Sequence, residues 1–95
     1  MPQRAIERIK EKIRLGEYDM TVHAMEEMAE DNLDILDVDH AILTGRIVRR
    51  EKGDARGTKY IVEGLAENQL TPVAVVGRFT RTRRYLIITV YEKSD

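Results

Sequence analysis

The stretch TPVAVVGRFT (71–80), RTRR (81–84) and YLIITVYE (85–92) decides the fold. Both flanks are rich in β-branched residues and the polar tetrad interrupts them, so the stretch reads as two antiparallel strands joined by a hairpin. Pairing across Arg81 to Arg84 sets Phe79 opposite Leu86, Gly77 opposite Ile88 and Val75 opposite Val90, all on one apolar face. The other face then carries Ala74, Val76, Arg78 and Thr80 across from Tyr91, Thr89, Ile87 and Tyr85. The first face suits a core, and the second mixes arginine, threonine and tyrosine with aliphatic residues. Thr82 and Arg83 are poor residues for a tight primed turn, which predicts a four-residue or bulged connection.

Upstream, the same period of two marks strands at Arg46 to Glu51 and Thr58 to Leu65, with turns at Gly53 to Gly57 and Ala66 to Gln69. Before Arg46 the period lengthens to that of a helix. Ala5, Ile6, Ile9 and Ile13 predict a first helix from about Pro2 to Leu15, stopped by Gly16. Thr21 can cap a second helix whose inner face is Val22, Met25, Met28 or Ala29, and Leu33, with Glu26, Glu27 and Glu30 outward. Asp37 can cap a third, short helix through Val38, Ala41 and Ile42, closed by Gly45. The expected fold class is α+β: helices over about residues 2–45, packed on one face of a four-stranded antiparallel sheet over about 46–92, in a single domain of 95 residues.

Charge is sorted by segment although the formal net charge is only -1. Every charged residue from Glu17 to Asp39 is acidic, whereas from Arg46 onward eleven Lys or Arg stand against six acids. A basic sheet can hold phosphates, while an acidic helical half repels them or docks a basic partner. The chain has no Cys, which removes disulfides, thiol nucleophiles and thiolate zinc sites. It has no apolar run of the roughly eighteen residues a membrane helix needs, and its charged N-terminus has no apolar signal region, so a cytoplasmic address and no membrane partner are expected. Gly53 and Gly57 fit a turn and lack the lysine and helix of a phosphate loop, and no cofactor is expected.

His23 opens the second helix beside its apolar stripe. It is either a general acid or base, since imidazole titrates near neutrality, or a residue that fixes the helix start through a hydrogen bond. His23, Glu26, Glu27 and Glu30 share a helical spacing, yet one histidine among outward glutamates makes a poor ligand set, and no metal is expected. Arg78, Arg81, Arg83 and Arg84, with Tyr85 and Tyr91 near them, form the densest basic cluster. Guanidinium groups fork phosphate oxygens and an aromatic face stacks on a base, while the alternative is a solvated hairpin tip whose charges discourage edge association. Arg78 stands out because the register puts it in mid-sheet, where an idle charge is costly.

Thr21-Val22-His23-Ala24-Met25-Glu26-Glu27-Met28, Asp37-Val38 leading to Gly45-Arg46-Ile47-Val48, Thr58-Lys59-Tyr60-Ile61-Val62 and Ile87-Ile88-Thr89-Val90-Tyr91 together resemble the small bacterial family called domain of unknown function 4258. That family is grouped with the RelE, ParE and BrnT toxin superfamily, whose members share a compact fold of helices followed by an antiparallel sheet. The resemblance implies a RelE-like fold and a metal-independent ribonuclease, in which the ribose 2′-hydroxyl attacks its own phosphate. It casts His23 as acid or base, Arg78 as phosphate stabiliser, and Thr89 or Tyr91 as orienting donor, with Arg81, Arg83, Arg84 and Tyr85 binding RNA. The partners it implies are RNA and an antitoxin. A non-catalytic interaction module of the same fold, homodimeric or docked on another protein, is the alternative reading of the charge split.

Overall fold

In the computed structural model, which describes residues 4–53 and 55–93, the elements follow as α1 (Ala5–Leu15), β1 (Tyr18–Met20), α2 (Val22–Glu30), α3 (Ile35–Thr44), β2 (Arg46–Glu51), β3 (Lys59–Leu65), β4 (Pro72–Phe79) and β5 (Tyr85–Glu92). The strands form one sheet in the order β1-β5-β4-β3-β2. β2 to β5 make the expected antiparallel meander. The sheet nevertheless has five strands and is mixed, because β1 lies parallel to β5 with Tyr18 opposite Tyr85 and Met20 opposite Ile87. The expected four-stranded, purely antiparallel sheet is corrected on this point. Three residues are too few to display a period of two, and the partner strand lies at the far end of the chain.

Each helix begins and ends for a local reason. α1 buries Ile9 and Ile13 and closes at Gly16, whose N–H returns to the Ile13 carbonyl at 3.1 Å. Pro2, expected to start this helix, lies outside the described residues. Thr21 caps α2 as expected, its Oγ1 accepting the Ala24 N–H at 3.1 Å. α3 starts earlier than expected. Asp34, not Asp37, is its cap, and Asp37 is the third-residue partner of a reciprocal capping box in which each carboxylate accepts the other's N–H.

The helices cover one face of the sheet, where Ile9, Ala24, Val38, Ile42, Val62, Val75, Tyr85, Ile87 and Val90 join one buried cluster. α3 approaches β3 so closely at Gly64 that a Cβ there would overlap the Ala41 carbonyl. α2 is rotated from the expected facing, with Ala24 buried and Met28 and Leu33 packed on the core while Val22 and Met25 are 68% and 49% exposed. The cause is Thr21, which bonds β5 twice, N–H to the Ile87 carbonyl at 2.9 Å and Oγ1 to the Ile88 carbonyl at 2.9 Å, and so sets the helix's starting angle.

The hairpin register also departs from expectation over half its length. Val75 pairs with Val90, Val76 with Thr89 and Ala74 with Tyr91 as expected, but Gly77 meets Ile87 and Phe79 meets Tyr85. One extra residue on β5, a bulge between these two sets, shifts the lower half by one and turns Tyr85 and Ile87 into the core instead of outward.

Candidate nucleic-acid interface

The β4–β5 connection runs from Thr80 to Arg84. Its ends are tied by the Thr80 N–H donating to the Arg84 carbonyl at 2.9 Å and the Arg84 N–H donating to Thr80 Oγ1 at 3.1 Å. Arg83 takes a left-handed backbone at φ 62°, its N–H on the Thr80 carbonyl at 3.2 Å. The loop is thus held by backbone and threonine groups, and the arginine side chains take no part in closing it.

Two clefts share Thr80 as a wall. On the open side of the sheet, a cleft of about 250 Å³ is lined by Ala55, Arg56, Arg78, Thr80 and Arg81. On the helix side, one of about 350 Å³ is lined by Arg8, Glu11, Lys12, Phe79, Thr80 and Arg83. Arg8 lies over the Phe79 ring, its Cζ 4.1 Å from the ring centroid, and Lys12 reaches Glu17 at 3.1 Å. Arg78, Arg81 and Arg83 make no ion pair among the described residues, which leaves their guanidinium groups available to an anion.

The other two residues expected at this site are engaged elsewhere. Arg84 grips Asp19 through Nε at 2.7 Å and Nη2 at 3.2 Å, and also donates to the Tyr18 carbonyl at 3.1 Å, fastening β1 to β5. This partnership holds the Asp19 carboxyl below its ordinary value and raises that of Arg84. Tyr85 is fully buried, its ring against Phe79 at a centroid distance of 5.3 Å, so it offers no face to a base. Burial pushes its hydroxyl up, and that hydroxyl has no hydrogen-bond partner among the described residues.

Arg78, Thr89 and Tyr91 share the open face. Thr89 pairs with Val76, two residues from Arg78, a separation of about 7 Å along β4. Tyr91 lines a shallow cleft with Val48, Arg49, Ile61, Glu63 and Lys93, where Lys93 is bound to Glu63 at 2.8 Å and Arg49 reaches Glu51 at 3.3 Å.

His23 stands 66% exposed on α2 with its Nε2 3.2 Å from Glu27 Oε1. The same oxygen accepts the Val90 N–H at 3.2 Å, so Glu27 ties the imidazole to the margin of β5 beside Thr89 and Tyr91. Glu27 was expected to point into solvent. Its spacing of four from His23 was visible, but the strand amide that fixes it was not. Asp31 behaves in the same way, accepting the Glu92 N–H at 2.9 Å. Arg8 and Lys12 were likewise missed, because nothing in a helical period reveals which hairpin a helix will meet.

Asp34, Asp37 and Glu67 bring carboxylate oxygens within 4.8 Å of one another. Asp34 and Asp37 serve the capping box, and Asp37 also accepts the Glu67 N–H at 3.0 Å, which accounts for their convergence without an ion. No helix among the described residues is long and apolar enough to cross a membrane.

Residues 20–92 match a family model described as domain of unknown function, DUF4258. No curated protein and no solved structure matches the chain.

Proposed function

The chain belongs to the DUF4258 family, and from that premise we propose that it acts on RNA, holding the phosphate backbone at its arginine-lined hairpin end and cleaving without a metal. The carrying observation is that Arg78, Arg81 and Arg83 surround Thr80 with no carboxylate partner among the described residues, while Arg84 next to them is neutralised by Asp19. Phosphate contacts of this kind supply sequence-independent affinity.

The chemistry assigned to the site is transesterification. His23, oriented by Glu27, takes the proton of the ribose 2′-hydroxyl. The freed oxygen bonds to phosphorus while the bond from phosphorus to the 5′-oxygen breaks. That oxygen takes a proton from water, and the hydroxide left is neutralised by the proton that His23 gives up. Arg78 neutralises the charge that builds on the phosphoryl oxygens, and Thr89 or Tyr91 orients them from the same face. Support for this arrangement is the position of Glu27 between the imidazole and the β5 backbone. It is the relation of a carboxylate that fixes a catalytic histidine's orientation.

Induced expression in a bacterial host tests the reading, with total RNA integrity and growth followed for the wild type and for the double variant His23→Ala, Arg78→Ala. RNA loss and growth arrest that the double variant relieves are the expected result. Arg78→Ala alone should slow cleavage by about tenfold to a thousandfold. Intact RNA at confirmed soluble expression removes the proposal.

A second reading, a protein-interaction module that docks an antitoxin, another protein or a second copy, is favoured by the exposure of Val22 and Met25 beside one another on α2. Association measured by sedimentation of the purified chain, and its loss in Val22→Ser, Met25→Ser, distinguishes that reading from the first.

A further inference from the structure

Resting on the RNA reading above, we infer that the cleft between α1 and the hairpin is a second phosphate subsite, and that the ligand is single-stranded RNA passing over the hairpin tip from one cleft to the other. The two clefts lie on opposite sides of the sheet and share a single residue, Thr80. A rigid duplex presents its phosphates on the outside of a straight cylinder and cannot fold around so short a connection as Thr80 to Arg84. A flexible single strand can, because its backbone torsions are free to reverse direction between successive phosphates.

The helix-side cleft has the chemistry for this role. Arg83 brings to its lining a guanidinium with no ion pair among the described residues, and Lys12 an ammonium already shared with Glu17. Arg8 lies over the Phe79 ring at 4.1 Å, which places its guanidinium in the lining of the cleft. Glu11 is the acidic residue of the lining, outnumbered by three cations. Arg8, Lys12 and Glu11 stand on α1, ahead of the residues matched to the family, whereas Phe79, Thr80 and Arg83 lie within them. The loop that separates the clefts is rigid for its length, since Thr80 carries hydrogen bonds to the Arg84 N–H and to Thr82 Oγ1. The path over it is therefore fixed in the unliganded protein.

The test is fluorescence anisotropy of a labelled twelve-nucleotide oligouridine carrying 2′-O-methyl groups, which cannot be cleaved, and of a perfect duplex of the same length. Both are titrated with wild-type protein, Arg81→Gln for the open-side cleft and Arg83→Asn for the helix-side cleft. Asparagine tolerates the left-handed backbone at position 83, so that variant keeps the turn. Far-ultraviolet circular dichroism checks that it does. The expected result is tighter binding of the single strand than of the duplex, with each variant weakening it about fivefold and lowering the slope of log affinity against log salt by about 0.7. If Arg81→Gln weakens binding and Arg83→Asn does not, the RNA reading stands and the second subsite is overturned. If duplex binds as tightly as single strand, the path over the tip is overturned. If neither RNA binds the wild type, the RNA reading falls and takes this inference with it.

Discussion

The ring of Tyr85 packs against Gly77, at a place where a Cβ on the glycine would stand 2.5 Å from Cε2 and 2.6 Å from Cζ. The bulge in β5 makes this possible by turning Tyr85 inward, and the missing side chain at position 77 makes the space. Gly77→Ala is therefore expected to push a fully buried aromatic residue out of its packing with Phe79, at a cost of about 1–3 kcal/mol. Denaturant unfolding measures it, and an unchanged midpoint would show that the strand yields at no cost.

Tyr85 also carries the one buried side-chain polar atom without a partner among the described residues, its hydroxyl oxygen. Tyr85→Phe removes that unsatisfied group and retains the ring. The variant is expected to be as stable as the wild type or more stable by up to about 1 kcal/mol, in contrast to the usual loss on changing a core residue. A loss above about 1 kcal/mol in the same unfolding experiment would mean that the hydroxyl is satisfied in solution.

Much of this geometry was legible in the residues and some was not. The strand limits of β2 and β5 and the Thr21 cap follow from periodicity and from the chemistry of capping. The lower half of the hairpin does not, because YLIITV is apolar at nearly every position and alternation cannot say which half of it faces the core. At the bulge β5 is bonded by Thr21, a residue far away in sequence, which donates to the Ile87 and Ile88 carbonyls. The candidate site shows the same division. Arg78, Arg81 and Arg83 are visible as a basic run, yet the run contains Arg84, which differs from them only in having Asp19 within reach. That pairing depends on the parallel strand β1, which three residues were too short to announce.

Alkaline behaviour is shared between Tyr85, whose burial disfavours ionisation, and the less buried Tyr18. The Tyr18 hydroxyl donates to Asp39 Oδ1 at 2.7 Å, and burial together with that carboxylate raises it from 10.0 to about 12. The neutral form is thus favoured in the folded state, so its contribution to stability is complete below pH 10 and disappears as the pH rises toward 12. Tyr18→Phe is expected to be less sensitive than the wild type over this window. Unfolding midpoints at pH 9 and pH 11 measure it, and parallel losses in the two proteins would assign the alkaline transition to other groups.

Glu27 is expected to protect a single backbone amide. In Glu27→Ala the Val90 N–H loses its acceptor and should exchange with solvent faster, with stability falling by about 1 kcal/mol. Glu27→Gln keeps an acceptor oxygen and should retain much of the protection while changing the partner of His23. Amide exchange followed by nuclear magnetic resonance reads both, and identical Val90 rates in all three proteins would show that the contact is not maintained in solution.

Thr21, Glu27 and Asp31 do for β5 what a neighbouring strand would do, occupying the Ile88 carbonyl and the Val90 and Glu92 amides beyond the end of β1. This border of the sheet is sealed by side chains, and β1 is only three residues long. The six-residue margin of β2 at the other end is the one long enough to recruit a strand. Two molecules joined along β2 would use up that margin in both, so strand addition there would end at a pair.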